Sequence, residues 1–583
     1  MNIDYVLSAH GLFKRGSGKL TYESVTNLTS KPIENGTKIK VDWTNPSIAE
    51  YVKTELFVST IDLSNLDYDQ TSAVSAKVID GTLQTYQHPA TIGQTYYFKA
   101  FVTYFTFGQN VVSKGVTTFI TATDKTPPAP ITSFVANGDD QSAKLSWVNP
   151  IDTDFNKVKI VYKTGGYPSS HTDGTVGYEG SATSVTITGL TNDIEYFIRG
   201  FTFDNQMNIN NDISQQISVK PESVKIYGVK IDKNNSNPLT AVTYIDNAIG
   251  MIGGSNEWDS VYPYNQIRPV LFKDGVVVGE LQKNDFSKFL DGTTADITSG
   301  NDGDVMIEFP KIWWKFETIG TDLYVKYATK QIDSTWKCLA HAKGITEKEK
   351  MYIGAYLGNE LASKLRSLSG KTPTLNKTIG AFRTSAQANG AGYQQVGYFQ
   401  LLMLQILYLI KYKSLDSQTA LGRGFVDGNA AITNTGGTNS KGMYFGEATG
   451  KQQMKFAGIE DFWGNCYYWI EGFFNNASRN ILIGNQNFND TGNGYTNYGQ
   501  GSTANLNGFI NEVQGSTETG FIPKSVIGSA TTYYCDEARL NPTCFPIFGG
   551  YWVSSDSAGA YQLFAIYTAT ETFSRVAARL CYV

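Results

Sequence analysis

Cysteine and histidine are scarce in this 583-residue chain, and their scarcity removes whole classes of chemistry. Five cysteines (Cys338, Cys466, Cys535, Cys544, Cys581) are scattered, odd in number and without a C-x-x-C pair. Such a set does not build a disulfide framework and predicts reduced, buried thiols. No two of the four histidines (His10, His88, His171, His341) lie at metal-ligand spacing. Zinc and Ser-His-Asp chemistry are therefore without support. No P-loop and no placed G-x-G-x-x-G is present. Net charge is −5 with no basic stripe, so a nucleic-acid partner, which needs phosphate-neutralising cations, is not expected. The longest apolar run, 401–410, contains Gln405 and falls short of the roughly 20 residues that cross a bilayer. Met1-Asn2-Ile3-Asp4-Tyr5 lacks the basic head and apolar core of a signal peptide. Synthesis in a cytosol without membrane insertion is the expectation.

What is abundant points to β-rich recognition modules. Apolar residues make up 41% and charged residues 17%, enough to build cores, and Tyr (35), Phe (32) and Gly (57) are plentiful. The first 220 residues repeat. Val41-Asp42-Trp43-Thr44-Asn45-Pro46 is echoed by Leu145-Ser146-Trp147-Val148-Asn149-Pro150 after 104 residues, and the segment around Tyr96 by that around Tyr196 after 100. Alternating runs such as Ser184-Val185-Thr186-Ile187-Thr188 have the period of two of half-buried strands. Leu190-Thr191-Asn192-Asp193-Ile194-Glu195-Tyr196 resembles the tyrosine corner of a fibronectin type III domain. The resemblance implies sandwiches over 22–125 and 126–222, each with its early Trp in the core. Thr126-Pro127-Pro128-Ala129-Pro130 is expected to be a stiff hinge between them. Residues 1–21, with Lys14-Arg15-Gly16-Ser17-Gly18-Lys19, are expected to be an attachment arm.

From 223 onward no repeat is visible. Residues 304–315 read as one strand, with Pro310 placing it near an edge or bulge. Residues 399–412 are apolar at helical spacing, as in a core helix, and Asp416-Ser417-Gln418 starts the next loop. The Asn- and Gly-rich stretch 473–508 is expected to be a long irregular insertion. Asp302-Gly303-Asp304 is read as an ordinary turn rather than a calcium seat.

Two motifs carry a second resemblance. Gly458-Ile459-Glu460-Asp461-Phe462-Trp463-Gly464-Asn465-Cys466-Tyr467-Tyr468-Trp469 resembles the Asp-x-x-Gly-Asn-x-x-x-Trp signature of the C-type-lectin-like fold in formylglycine-generating enzymes. The end of the chain, Gly549-Gly550-Tyr551-Trp552 through Ala577-Ala578-Arg579-Leu580, resembles the variable region of retroelement-diversified phage and bacterial proteins, with Ala577 where that frame has Gly. The fold class this implies is a mainly β N-terminal half followed by an enlarged α+β C-type-lectin-like domain over 223–583, its variable-type region at 545–583. By the resemblance, Asp461, Gly464, Asn465, Trp469, Gly549, Gly550, Trp552, Gly559, Arg579 and Leu580 form a structural frame, with Trp552 in the core and Arg579 pairing internally. Outward-facing ligand positions are then Tyr551, Val553, Ser554, Asp556, Ser557, Gln562, Phe564, Ile566, Tyr567, Thr570, Glu571, Phe573 and Arg575.

Adjacent Glu460 and Asp461 are not expected to act as an acid–base pair, because neighbours in sequence seldom converge on one bond. Cys535 and Cys544 are the tempting candidates for an oxidase, but no basic residue or helix start argues for a lowered pKa. The calcium-dependent sugar motifs of classical C-type lectins (Glu-Pro-Asn, Gln-Pro-Asp, Trp-Asn-Asp) do not occur. The expectation is therefore a non-enzymatic receptor-binding protein of a phage tail or tail-like particle, without cofactor or metal. Its partners would be a host-surface glycan or protein and baseplate or tail-tip proteins, and avidity argues for a homotrimer. It would be made in the bacterial cytoplasm, carried on the tail tip and act outside the cell. A bacterial adhesin of the same fold and a formylglycine-generating-type oxidase are the rivals.

Overall fold

The computed structural model describes residues 5–8, 11–14, 22–427 and 430–583. The reading of 1–21 as an attachment arm lies outside the described residues, apart from the backbone of an antiparallel pair, Tyr5–Ser8 with Gly11–Lys14. The chain divides into two compact units, Met1–Ser223 and Val224–Val583, and is mainly β.

The first unit holds two sandwiches built on one plan. In the first, the sheet of Thr26–Ile33, Lys38–Thr44 and Thr85–Pro89 faces the sheet of Val116–Thr121, Thr95–Thr106, Tyr51–Ser59 and Ala76–Gly81. In the second, Thr132–Asp139, Ser142–Val148 and Ser184–Thr188 face Thr175–Gly180, Phe155–Thr164 and Tyr196–Asp204. Alternation decides which side is inside: Ile39, Val41 and Trp43 from one sheet meet Leu56, Val58, Phe98 and Ala100 from the other. The repeated residues do the same work in both copies. Trp43 and Trp147 are buried, and each indole N–H donates to the Asn two residues on, Asn45 and Asn149, at 2.9 Å. The Tyr96 and Tyr196 hydroxyls each accept the backbone N–H five residues upstream, from Thr91 and Thr191, at 3.0 Å. A tyrosine corner thus exists in both modules. A short helix, Tyr68–Val74, closed by a capping box between Asp67 and Gln70, is an addition in the first that its sequence did not announce.

The second unit is strand-rich around one long helix. Tyr398–Tyr412 is buried along its whole length, which agrees with the apolar reading. It lies in the core beside a four-stranded sheet (Val242–Asp246, Ile226–Asp232, Asp322–Ala328, Trp313–Ile319). A seven-stranded sheet runs from Asp285–Phe289 through Asp304–Pro310 and Lys350–Gly354 to the C-terminal strand Leu580–Tyr582 and Tyr393–Gln395. A six-stranded mixed sheet carries Leu563–Tyr567, Phe545–Phe548 and Tyr467–Trp469.

Three expectations are corrected here. Residues 304–315 are two strands in two sheets, Asp304–Pro310 and Trp313–Ile319. Asp304–Pro310 is central and fully buried, so Pro310 marks its end, where no ladder N–H is needed, and not a sheet edge. The stretch 473–508 contains an ordered three-stranded meander, Phe473–Asn475, Asn480–Ile483 and Thr496–Gln500, whose strands are too short to show a period. After the long helix, Asp416 caps a further helical turn, Ser417–Ala420, by accepting from Thr419 N. Asp304 opens the strand Asp304–Pro310, paired with Arg366 at 3.0 Å and accepting from Ser367 N at 2.7 Å.

Candidate functional site

The signature segment 458–469 forms a buried polar network. Glu460 accepts from Gly436 N at 2.7 Å, Thr438 N at 2.8 Å and the Thr438 hydroxyl at 2.7 Å. Asp461 accepts from Gln453 Nε2 at 2.7 Å and Asn465 Nδ2 at 2.8 Å. Burial, and then the Glu460 charge beside it, holds the Asp461 carboxyl well above the usual carboxylate range. The loop is held by Asn465 rather than by Asp461: Asn465 accepts from Thr433 N at 3.0 Å and donates to Thr433 O at 3.1 Å. Both carboxyls are enclosed; their contacts organise the surrounding loops, with Asp461 Oδ1 left without a partner.

The last frame residues close this network. The Arg579 guanidinium is buried and donates to four carbonyls: Gly354 and Ala355 at 3.0 and 3.2 Å, Glu460 and Asp461 at 2.7 and 2.9 Å. Leu580 follows in the C-terminal strand, opposite Gln395, and Trp469 is fully buried. Gly550 stands at φ +84°, and a Cβ there would lie 2.6 Å from the Ala558 Cβ, so the loop 550–558 can close only on glycine. At Gly559 a Cβ would meet Asp536 Oδ1 and Ser417 Oγ at 2.2 Å. Gly464 and Gly549 also take positive φ.

Between these anchors lies the surface. Val553, Asp556 and Thr570 are exposed, and Tyr551, Ser554, Ser557, Ile566, Tyr567, Glu571, Phe573 and Arg575 are half-buried. Gln562 (0% exposed) and Phe564 (4%) point inward, a correction to their reading as ligand positions. Gln562 lies just before the strand Leu563–Tyr567, and within it Leu563 and Ala565 pack into one core cluster and Phe564 into another, so both faces of its first half are covered. Trp552, expected in the core, is half-buried and packs against the main core from the loop, edge-on to Tyr551 at 5.3 Å.

Arg575 joins the two halves of the patch. Its guanidinium lies 5.6 Å from the Tyr551 ring and 5.5 Å from the Phe573 ring, and it donates to the Tyr567 hydroxyl at 3.1 Å. Tyr567 and Phe573 touch at 4.1 Å between centroids, and Tyr551 stacks on Tyr467 at 5.3 Å. The loop is braced from behind by Arg423, which reaches Asp556 and Asp427 at 2.8 and 2.5 Å, and by Gln418 Nε2, which donates to Ser555 O and Ala558 O. Glu571 caps its own turn by accepting from Thr568 N at 2.6 Å. Tyr467, Arg423 and the brace of Gln418 were missed as parts of this site, because they lie over 80 residues upstream and carry no local pattern. The patch is an aromatic and hydroxyl surface with one cation, Arg575, and two engaged carboxylates, Asp556 and Glu571. A groove of about 620 Å³ lies elsewhere in this unit, lined by Lys315, Glu317, Gly515, Thr517 and Lys524.

The thiols are enclosed and their pKa values are raised. All five cysteines are free and buried. Burial pushes the Cys544 thiol up to about 11, and burial also raises Cys535, with Asp416 and Asp536 adding to it. A reactive thiolate needs the opposite shift. In the native protein at pH 8, a thiol reagent is expected to modify none of the five within minutes and all five after denaturation; rapid native labelling of Cys535 or Cys544 would restore the oxidase reading.

No protein-family model matches the sequence, and no curated protein matches it. Solved structures similar to part of the chain include the FN1–FN3 domains of chicken CNTN1 (12% identity, 36% of this chain and 71% of that one, TM-score 0.18). A two-domain fibronectin type III segment of chicken tenascin is similar at 18% identity, covering 34% of this chain and 99% of that one, with a TM-score of 0.21. The chicken interferon gamma receptor alpha chain matches at 11% identity, 34% and 98% coverage and a TM-score of 0.22. The scores are low; the sandwiches rest on the strand pairing and the duplicated Trp and Tyr contacts above.

Proposed function

We propose that this chain is a receptor-binding protein of a phage tail or tail-like particle, and that it grips a host-surface ligand with the face formed by residues 551–557 and 566–575. The observation that carries the reading is the division of labour at the end of the chain. The frame residues are spent on turns and a buried guanidinium staple, while the residues between them form a continuous aromatic patch. Scaffolded loops of this kind suit recognition, because their side chains can change without disturbing what holds them. Half-buried Tyr and Phe supply the rigid anchors that dominate interface energy, and aromatic faces also stack on sugar rings. The second unit is accordingly read as an enlarged C-type-lectin-like domain of the retroelement-diversified kind. The two sandwiches are read as fibronectin type III spacers, the N-terminal residues as the particle attachment, and the assembly as a homotrimer. No cofactor or catalytic step enters this reading.

The test uses exposed positions, so that folding is not at stake. The full chain is assayed for binding to intact candidate host cells beside a Val553→Glu/Thr570→Glu variant of unchanged Tm. A charge buried in the centre of an interface is expected to weaken binding about 30-fold or more, the roughly 2 kcal/mol of a hot spot. Equal binding by both proteins would move recognition off this face.

A further inference from the structure

The first unit contains an acidic cluster that no pairing accounts for. Asp124 ends the segment leaving the first sandwich, Asp154 precedes the strand Phe155–Thr164, and Asp204 closes the strand Tyr196–Asp204. One carboxylate oxygen from each lies within 4.8 Å of the other two. Among the described residues no Lys or Arg is paired with any of the three. Asp204 is 0% exposed and Asp124 5%.

The environment is built rather than accidental. Asp204 Oδ1 accepts from Gln206 N and Asn208 N, both at 2.8 Å, and Asp204 Oδ2 accepts from Asn208 Nδ2 at 2.7 Å. The same Asn208 amide reaches Asp124 O at 3.2 Å. Asp124 Oδ1 accepts from Thr126 N at 2.9 Å. Asp124 Oδ2 is left: it is fully enclosed and has no donor at all. A carboxylate sealed among two further carboxyls is unfavourable, and the relief its neighbours offer is a proton held on Asp154 toward Asp124.

We infer that Asp124, Asp154 and Asp204 hold a calcium ion, which fastens the inter-module linker onto the second sandwich. All-oxygen, carboxylate-rich donors select a hard cation over zinc or copper. Three carboxylates brought together from separate segments suit the irregular six- to eight-fold shell of calcium better than the strict octahedron of magnesium. Neighbouring contacts already draw the linker inward: Asn210 Nδ2 donates to Pro128 O at 2.7 Å, and the Thr202 hydroxyl donates to Ala129 O at 2.9 Å. The ion completes that clamp, so the spacer is stiff where calcium is abundant. Burial, followed by Asp124 and the Asp204 charge, also raises the Asp154 carboxyl when no cation is present.

The experiment is calcium titration calorimetry and thermal unfolding of the chelator-stripped full chain, beside Asp124→Asn and Asp154→Asn. Wild type is expected to bind one ion with Kd of about 10⁻⁴ to 10⁻³ M, the range of extracellular calcium modules. Both variants are expected to bind at least about tenfold more weakly. Their Tm in chelator should equal or exceed that of wild type, because a repelling charge is gone, and calcium should raise the Tm of wild type alone. A misfolded variant is recognised by a Tm below wild type in chelator, in which case the other variant decides. No heat up to about 10 mM calcium, wild-type affinity in a folded variant, or equal stabilisation by magnesium overturns the assignment.

Discussion

Replacing Arg579 with methionine is expected to destabilise the second unit by about 3–5 kcal/mol, the cost of breaking a buried charged network on one side only. The guanidinium is enclosed, and among the described residues it has no carboxylate partner. Its charge is held by four carbonyl dipoles and by the face of Tyr468, 5.1 Å away. Burial pulls its pKa below the ordinary arginine value, opposed by Tyr468 and by the Asp461 and Glu460 carboxyls nearby. Methionine fills much of the stem volume but strips the guanidinium from four core carbonyls, of which Ala355 O keeps the Glu460 N–H at 2.8 Å. Lysine keeps the charge, yet a single ammonium cannot bridge the Gly354–Ala355 pair and the Glu460–Asp461 pair together, so Arg579→Lys should recover less than half of the loss. The affected contacts join the start of the C-terminal strand to the signature segment. Urea unfolding followed by tryptophan fluorescence checks both variants; a loss below about 1 kcal/mol for Arg579→Met would remove the staple from the account.

The staple also explains why the end of the chain was partly legible in its sequence. Gly550, Gly559 and Arg579 each answer a local geometric demand: a positive φ, a 2.2 Å approach, four facing carbonyls. The sandwiches were legible for a similar reason, since Trp43 with Asn45 and Trp147 with Asn149 repeat one hydrogen bond in two copies. Gln562 and Phe564 were carried over from the resemblance, which does not report how this chain packs: Phe564 enters one core cluster while Leu563 and Ala565 fill another, and Gln562 just before them is enclosed as well. The brace from Arg423 and Gln418, and the meeting of Asp124, Asp154 and Asp204, depend on loops brought together by folding. No window of sequence contains them.

A second large effect is expected from acid. His341 is fully buried in the turn Leu339–His341, and its Nε2 lies 3.0 Å from the carbonyl of Phe309 in the central strand Asp304–Pro310. A carbonyl only accepts, so Nε2 carries the proton of the neutral ring, while Nδ1 has no partner. Desolvation pushes the imidazole down to about 4; the Phe309 carbonyl and Glu349 oppose this, and Lys311 and Lys350 reinforce it. Between about pH 4 and 6.5 the unfolded chain binds a proton that the folded chain refuses, so stability rises with pH across that window and is fully present above it. As pH falls from 7 to 4.5, this one residue should cost about 2–3 kcal/mol. Carboxylates with lowered pKa contribute to acid loss too, so the informative quantity is the difference from His341→Gln, which can keep a donor to Phe309 and does not titrate. The variant should be less stable than wild type at pH 7 and close the gap, or reverse it, at pH 4.5. Parallel denaturation profiles for the two proteins over pH 4.5–7 would mean that the imidazole takes up its proton in the folded state, and that the core around Phe309 opens to admit it.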